Sequence, residues 1–233
     1  MKIALLGYGR MGKEIEKIAL QRGHEIVIKS KSDSTYNILE ADVAIDFSVP
    51  TSAVNNISNC IENQVPVISG TTGWLENYDK IVDLCNEKNG AFIYASNFSL
   101  GVNIFFELNN QLAKMMNSLS DYNITMEEIH HTKKLDAPSG TAITLAEGII
   151  ENSSKSAWKL DGKASEEILP ITSKRIGDVP GTHVVNYDSE VDAIEIKHTA
   201  HNRKGFALGA VVAAEWILNK KGVYTMKDVL NIG

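Results

Sequence analysis

The first hundred residues alternate between short apolar runs and segments with helical periodicity. The apolar runs are typical of buried strands, which they predict at residues 3–6, 25–28, 43–47, 65–69 and 91–94. Apolar residues three and four positions apart predict helices over residues 13–22, 51–62 and 78–87. Because strands and helices alternate, the pattern indicates a parallel sheet covered on both faces.

The pattern changes after about Gly101. A long helix is predicted over residues 102–119, a loop and helix over 138–150, and strands at 123–129, 182–186 and 192–198. Residues 153–165 are polar and lack periodicity, which predicts a loop or flexible flap. The apolar helix predicted over 206–219 is expected to pack back on the first domain. The second part therefore resembles a mixed, more open sheet with helices on one side.

Composition narrows the class of protein. The 233 residues carry a net charge of -6, with 43% hydrophobic and 22% charged residues, as in ordinary globular proteins. Without a Lys/Arg block, we expect no nucleic-acid partner. No apolar run is long enough to span a bilayer, so no membrane association is expected. Cys60 and Cys85 are far apart, which favours reduced, buried thiols in a cytoplasmic protein.

A glycine-rich turn follows the first predicted strand and opens the first helix. Gly7, Gly9 and Gly12 have the spacing G-x-G-x-x-G, which suits a tight turn, a pyrophosphate close to the backbone, and close helix–sheet packing. A purely structural glycine turn is the alternative. The sequence thus predicts an α/β chain with an N-terminal Rossmann-like dinucleotide-binding domain, residues 1–101 with 205–233. An α+β C-terminal domain with a mixed open sheet follows, residues 102–204.

The second strand lacks the acidic end that is typical of NAD sites. It is followed instead by Lys29, Ser30, Lys31 and Ser32, which suit a 2′-phosphate and favour NADPH. The alternative is that both lysines are merely solvated at the end of the strand.

The segment from Glu128 to Ala142 holds the densest chemistry. His130 and His131 can exchange protons near neutral pH, and Lys134 supplies a positive charge. Ser139 can cap the following helix, whose first N–H groups, at Gly140 and Thr141, would form a carboxylate cradle.

Non-functional interpretations of the same segment stay open. Adjacent histidines on a strand point to opposite faces, so geometry requires at most one of them to be functional. A solvated histidine pair beside an ordinary capped helix is a further possibility. No Asp, Glu or Cys lies at a helpful ligand spacing, so no metal is expected.

The order of residues over 128–142, Glu-x-His-His-x-x-Lys-x-Asp-x-Pro-Ser-Gly-Thr-Ala, resembles the dihydrodipicolinate reductase family. Other segments resemble that family in the same order along the whole chain. They are Gly7–Gly12, Asp46–Pro50, Gly70–Gly73, Ala95–Ser99, Arg175-x-Gly177 with Gly181-x-His183, and His198-x-Ala200-x-x-Arg203 with Phe206. This chain is shorter than many members between the second strand and Asp46, where the adenosine contacts of the family lie.

The resemblance implies an enzyme that uses NADPH or NADH to reduce (2S,4S)-4-hydroxy-2,3,4,5-tetrahydrodipicolinate on the route to lysine. By position, His130 would be the general acid/base and Lys134 would polarise and protonate the substrate. His131, Gly140 and Thr141 would hold a carboxylate. The cofactor-binding residues would be Gly7, Gly9, Arg10, Met11, Gly12, Lys29, Phe47, Gly70, Thr71, Thr72, Gly73, Ala95, Ser96, Asn97, Phe98 and Arg203.

The family is usually tetrameric through its second-domain sheet, so a homotetramer is expected. Domain closure would place hinges near Gly101 and residues 203–205. Two competing functions are a different nicotinamide enzyme, such as an aspartate or homoserine dehydrogenase, and a non-catalytic nucleotide sensor. The His-His-x-x-Lys segment argues against both.

Overall fold

The computed structural model describes residues 1–31, 35–163, 165–202 and 204–232, and it divides into two units. Unit 1 comprises Met1–Leu100 and Lys204–Gly233, and unit 2 comprises Gly101–Arg203. Each boundary lies one residue from the predicted position. Each unit has a buried apolar core of its own.

The described residues form eleven strands and seven α-helices. The strands are β1 Lys2–Leu6, β2 Glu25–Ser30, β3 Val43–Asp46, β4 Val67–Ser69, β5 Ala91–Tyr94, β6 Asn123–His130, β7 Ala157–Leu160, β8 Ile168–Arg175, β9 Gly181–Asp188, β10 Ala193–Ala200 and β11 Gly222–Tyr224. The helices are α1 Arg10–Gln21, α2 Pro50–Glu62, α3 Tyr78–Glu87, α4 Leu100–Met116, α5 Gly140–Glu151, α6 Lys204–Ile217 and α7 Met226–Leu230. Short 3-10 turns lie at Ile38–Glu40 and Leu75–Asn77.

Unit 1 is built on a parallel sheet with the strand order β11-β5-β4-β3-β1-β2. One core cluster joins the sheet to α1, α6 and α7, and a second joins its other face to α2 and α3. The predicted sheet with helices on both faces is therefore confirmed. The strand order reverses at β1, which lies between β2 and β3, and ligands bind at such reversals in parallel sheets.

The C-terminal segment completes unit 1. Helix α6 packs in the same core as β1 and α1, as the sequence predicts. Its Gly209 meets the chain after β5 so closely that an added Cβ would lie 1.7 Å from the Phe98 carbonyl oxygen. The sequence patterns missed β11 and α7, which are only three and five residues long. Such short elements carry too few residues to establish a period.

Unit 2 contains a mixed sheet with the order β10-β9-β6-β8-β7. Strand β9 runs antiparallel to β6 and β10, whereas β6, β7 and β8 are parallel, which confirms the predicted mixed sheet. Helices α4 and α5 supply the apolar residues that pack on its covered face, among them Phe105, Ala113, Leu145 and Ile149.

The predicted loop over residues 153–165 is wrong at Ala157–Leu160, which form strand β7. Residue 164 of the same range lies outside the described residues. Strand β7 pairs along its length with β8, and Trp158 packs against the unit 2 core. Tertiary pairing therefore overrides the weak local pattern. Strand β8 was not predicted either, and it contains Pro170, a residue that sequence rules place outside central strands. Within the described ranges, no helix is both long and apolar enough to cross a membrane.

Candidate active site

The glycine-rich turn lies between β1 and α1, where the strand order of unit 1 reverses. Gly7 has a φ of +100°, and a Cβ there would lie 2.1 Å from the Phe47 carbonyl oxygen. A Cβ on Gly12 would lie 2.5 Å from the Gly7 carbonyl oxygen. At Gly9, by contrast, an added Cβ would meet nothing within 4 Å. Two glycines are thus required for packing, while the third leaves open space at the helix start.

This open space suits a phosphate group. Gly9 is the N-cap of α1 and has no side chain that could accept from the first helical N–H groups. The first helical hydrogen bond runs from the Lys13 N–H to the Gly9 carbonyl at 3.2 Å. The N–H groups ahead of it point out of the helix start, and the helix dipole favours an anion there. The residues present therefore fit a dinucleotide pyrophosphate.

A buried carboxylate fixes the neighbouring strand ends. Asp46, at the end of β3, is fully buried and accepts from Asn56 Nδ2 at 2.9 Å, Ser69 Oγ at 2.8 Å and Thr71 Oγ1 at 2.7 Å. Thr71 Oγ1 also accepts from the Ser48 N–H at 2.9 Å. The Thr71 carbonyl also accepts from Trp74 Nε1 at 2.7 Å, so both the side chain and the backbone of Thr71 are engaged within the protein.

The other predicted cofactor residues follow the ends of β3, β4 and β5. The Phe47 ring covers Gly70 so closely that an added Cβ would lie 2.4 Å from it. Phe98 is 1% exposed and belongs to the core, and its carbonyl packs against Gly209 of α6. Asn97 Oδ1 accepts from the Ser99 N–H at 2.9 Å. Thr72, Gly73, Ser96 and Arg10 are exposed, and Ala95 and Met11 are half-buried. Arg203 lies outside the described residues.

Lys29 is engaged with an acidic residue of α1. Its Nζ lies 2.5 Å from Glu16 Oε1 and 5.4 Å from the centre of the Tyr8 ring. The Tyr8 hydroxyl donates to the same Glu16 carboxylate. The hydrogen bond from Lys29 is the main reason that the pKa of Glu16 lies below its ordinary value. Sequence inspection identified Lys29 but not its partner.

In unit 2, strand register assembles a row of polar side chains. Glu128 on β6 lies opposite His183 on β9 and Ser173 on β8. Two residues further along β6, on the same face, His130 lies opposite Arg175 on β8. Alternate β6 residues from Ile124 to His130 are buried, and they change from apolar to polar toward the end of the strand. The covered face therefore ends in a polar cluster.

His130 is enclosed by this cluster. It is 7% exposed, and its ring lies 5.1 Å from that of His183 in an edge-on arrangement. A Cβ on Gly181 would lie 3.2 Å from His130 Nε2, so β9 approaches the imidazole closely at this glycine. Burial lowers the pKa of the His130 imidazole, and the nearby Glu128 carboxylate offsets this only in part. His130 is therefore a neutral imidazole at neutral pH.

Lys134 follows the end of β6 and pairs with Asp136. Its Nζ donates to both carboxylate oxygens, at 2.8 Å and 2.7 Å. Arg175 clamps this segment, because its guanidinium donates to the Lys134 carbonyl at 3.3 Å and to the Asp136 carbonyl at 2.6 Å. The side-chain charge of Lys134 is thus held near His130, whose pKa it helps to lower.

Helix α5 begins beside the same cluster. The Ser139 hydroxyl accepts from the Ala142 N–H at 3.2 Å and shares a hydrogen bond of 3.1 Å with His183 Nε2. Space is open at Gly140, where an added Cβ would meet nothing within 4 Å. His131 is half-buried, and its Nδ1 atom is buried without a hydrogen-bond partner.

The histidines and the carboxylate also resemble a metal-binding group. Among the described residues, potential ligand atoms of Glu128, His130 and His183 lie within 4.8 Å of one another. The carboxylate, however, already accepts from the Ser139 N–H, the Ser173 hydroxyl and the Arg175 guanidinium. A cation would compete with these donors beside a fixed positive charge, so the donor set favours a hydrogen-bonded cluster over a metal site.

Several members of the cluster had no role in the sequence interpretation. Glu128, Arg175, Gly181 and His183 were recognised only as family matches, and Ser173 not at all. The period of two along β6 is a signal that could have placed Glu128 beside His130. No local pattern indicates that β8 and β9 are its neighbours.

The parallel sheet and its glycine-rich turn define the class of protein: a Rossmann-like dinucleotide-binding protein with a second, mixed-sheet unit. The chain belongs to the dihydrodipicolinate reductase family, as the sequence resemblance predicts. Residues 1–98 match the family model described as dihydrodipicolinate reductase, N-terminus, and residues 101–230 match the model of its C-terminus.

Relatives of similar length carry the name 4-hydroxy-tetrahydrodipicolinate reductase. The protein from Christiangramia forsetii is 58% identical, over 99% of this chain and 98% of its own. The one from Thermosipho africanus is 37% identical, over 99% and 98%. The fold is also similar to that of a dipicolinate-bound dihydrodipicolinate reductase from Paenisporosarcina sp. TG-14, with a TM-score of 0.79, 23% identity and 97% coverage of both chains.

Proposed function

We propose that this chain reduces (2S,4S)-4-hydroxy-2,3,4,5-tetrahydrodipicolinate to 2,3,4,5-tetrahydrodipicolinate in the pathway to diaminopimelate and lysine. The reaction consumes one hydride and one proton and releases water and the oxidised nucleotide. Its main structural support is the buried His130 beside the start of α5, with Lys134 close in sequence. A dicarboxylate needs positive charge and N–H donors, and this end of unit 2 supplies both.

His130 is the proposed general acid/base. In the free protein its pKa is lowered, mainly by burial. A bound dianion would raise the pKa of the imidazole toward neutrality, because negative charge favours the protonated form. His130 would then accept and pass on a proton near the pH of the cell, where acid–base groups are most effective.

Lys134 is the proposed donor to the substrate. When substrate binds, the Lys134 ammonium leaves Asp136, which is largely exposed, and pairs with a substrate group instead. There it compensates the negative charge of the substrate. The N–H groups at Gly140 and Thr141 and the half-buried His131 hold a carboxylate at the start of α5. Unit 2 is accordingly the proposed substrate-binding unit.

Unit 1 is the proposed nucleotide-binding unit. The pyrophosphate lies over Gly9 at the start of α1, with Arg10 and Met11 next to it. The segments Gly70–Gly73 and Ala95–Phe98, with Phe47, border the nicotinamide in this proposal. Their exposed residues, Thr72, Gly73 and Ser96, face the ligand, and the buried Thr71 and Phe98 support them. The nicotinamide supplies the hydride when it is bound. Arg203 stays a predicted cofactor contact.

Both nucleotides are proposed as substrates. Lys29 lies at the end of β2, where the adenosine ribose of a dinucleotide is held, and an ammonium there attracts a 2′-phosphate. Its pairing with Glu16 compensates that charge and lets the unphosphorylated ribose bind as well. We therefore infer dual use, with NADPH favoured to a modest degree.

An enzyme assay tests the proposal. Freshly prepared 4-hydroxy-tetrahydrodipicolinate is supplied with NADPH or NADH, and nucleotide oxidation is followed by absorbance. Oxidation that depends on this substrate is expected with both nucleotides. Reduction of NADP+ or NAD+ by aspartate or homoserine instead would identify a different dehydrogenase. Nucleotide binding without turnover on any substrate would identify a sensor.

A cytoplasmic homotetramer is the proposed form of the protein. Strand β10 is the last strand at one edge of the unit 2 sheet, and its residues are exposed or half-buried. An exposed edge strand of eight residues is a template for pairing with another chain. Light scattering after size-exclusion chromatography should give four times the chain mass, and a monomeric mass would refute this assembly.

A further inference from the structure

The carboxylate of Glu128 lies at the centre of the polar cluster of unit 2. It is fully buried, and its Oε2 accepts from the Ser139 N–H at 3.0 Å. Its Oε1 accepts from the Ser173 hydroxyl and, at 3.3 Å, from Arg175 Nη2. Burial raises the pKa of a carboxyl, but the hydrogen bonds from Ser139 and Ser173 outweigh it and leave the pKa of Glu128 below its ordinary value. Glu128 is therefore an ionised group inside the unit.

Two of the three donors to this carboxylate, Ser139 and Arg175, belong to different parts of the proposed site. Ser139 is the N-cap of α5, where the substrate carboxylate is proposed to bind. Arg175 holds the carbonyl groups of Lys134 and Asp136, so it fixes the segment that carries the proposed donor. Loss of the Glu128 charge would leave Arg175 without its buried partner and the Ser139 N–H with a weaker acceptor.

The same carboxylate faces the proposed acid/base. Glu128 Oε2 lies 3.5 Å from His130 Nδ1, a separation at which charge acts without a good hydrogen bond. The other charged or titratable groups that act on His130 and its neighbour His183 are Lys134, Asp136, Arg175 and His198. His183 is uncharged at neutral pH, because burial lowers its pKa to about 4. Glu128 is the fully buried anion of this group.

We propose that Glu128 is a positioning residue, whose ionised carboxylate aligns His130 with the start of α5 and with the Lys134 segment. The inference rests on the proposed function and goes beyond it, since Glu128 touches neither substrate nor nucleotide there. A residue that contacts catalytic side chains but not the substrate acts by orienting the residues that do the chemistry.

The test compares Glu128→Gln with Glu127→Gln. Both changes replace a carboxylate by an amide of the same shape on β6, but Glu127 pairs with Lys174 on the opposite face of the sheet. Glu128→Gln should lower kcat by about tenfold to a hundredfold, a part of the roughly 10²–10⁴-fold that acid–base groups contribute. The KM for the nucleotide should stay unchanged, and Glu127→Gln should resemble the wild type.

The titration of His130, followed by NMR of its ring proton, supplies a readout independent of turnover. The His130 pKa should fall further in Glu128→Gln, because the carboxylate that favours the imidazolium is lost. A folded Glu128→Gln variant with wild-type kcat and an unchanged His130 titration would overturn the proposal. If the wild type fails to reduce the substrate, the proposed function fails, and the titration still tests the effect of Glu128 on His130.

Ser173→Ala offers a milder change if Glu128→Gln does not fold. It removes one donor to the carboxylate while the charge remains. A lower kcat with an unchanged nucleotide KM is expected. Wild-type kcat in Ser173→Ala, together with an unfolded Glu128→Gln, would reduce Glu128 to a purely structural role and overturn the proposal.

Discussion

The ammonium of Lys29 lies 2.5 Å from the carboxylate of Glu16, so the positive charge at the end of β2 is paired before any ligand binds. A lysine at this position would by itself favour a 2′-phosphate. Paired with a carboxylate, the same lysine favours a 2′-phosphate less, because the phosphate must compete with Glu16 for the ammonium group. Nucleotide preference therefore depends on two residues that are 13 positions apart in the sequence.

The first prediction concerns this pair. Glu16→Gln should raise the ratio of kcat/KM for NADPH to that for NADH, and Lys29→Ala should lower it. A change of up to about fivefold is expected, since exposed ion pairs contribute about 0.2–1 kcal/mol. Steady-state kinetics with each nucleotide measures the ratio. Lys17→Ala, which breaks the exposed pair with Glu14 on the same helix, should leave it unchanged. Equal effects on both nucleotides would remove the 2′-phosphate from the explanation.

The second prediction concerns His130. His130→Ala should reduce kcat by about 10²–10⁴-fold, because the proposed proton transfer loses its carrier. Nucleotide binding, followed by fluorescence of the reduced nicotinamide, should persist, since His130 belongs to unit 2. His24→Gln, in unit 1, is the matched control for the loss of an imidazole. Undiminished turnover in His130→Ala would exclude this residue from the mechanism.

The third prediction separates two adjacent lysines. Lys134→Met should raise the KM for the substrate and lower kcat, because the ammonium proposed to meet the dianion is lost. The KM for the nucleotide should not change. Lys133→Met is the control, since Lys133 is exposed and immediately precedes Lys134. If both variants behave alike, the substrate carboxylates are held elsewhere.

Local patterns predicted the elements of unit 1 well because long elements bury one face and repeat their period. Helix Tyr78–Glu87 and strand Ala91–Tyr94 have the predicted bounds. Strand β7 could not be predicted in this way, since it is formed by pairing with β8 rather than by its own pattern. Its residues alternate between exposed and half-buried, so little apolar surface marks it in the sequence.

Only the residues of the candidate site that are close together in the sequence could be predicted from it. His130, Lys134 and Ser139 lie within ten residues, so one motif holds them all. Ser173, Arg175 and His183 join them through the registers of β8 and β9 with β6, and strand order is not encoded in any local period. The demand of a buried carboxylate for several donors is the physical reason that these distant residues converge on Glu128.

The last prediction concerns stability in acid. Burial lowers the pKa of His183 to about 4, against an ordinary value of 6.5 in the unfolded chain. Between about pH 6.5 and 4 the unfolded state binds a proton that the folded state does not, so the free energy of unfolding falls as the pH falls. This one group accounts for a loss of about 3 kcal/mol over that range. The lowered pKa of His130 acts in the same direction.

Urea unfolding at a series of pH values should show this loss of stability in acid. The loss should be smaller in His183→Gln. His201→Gln, which changes an exposed histidine, should show the same loss as the wild type. A variant without His183 that keeps the full acid slope would show that the proton is taken up elsewhere.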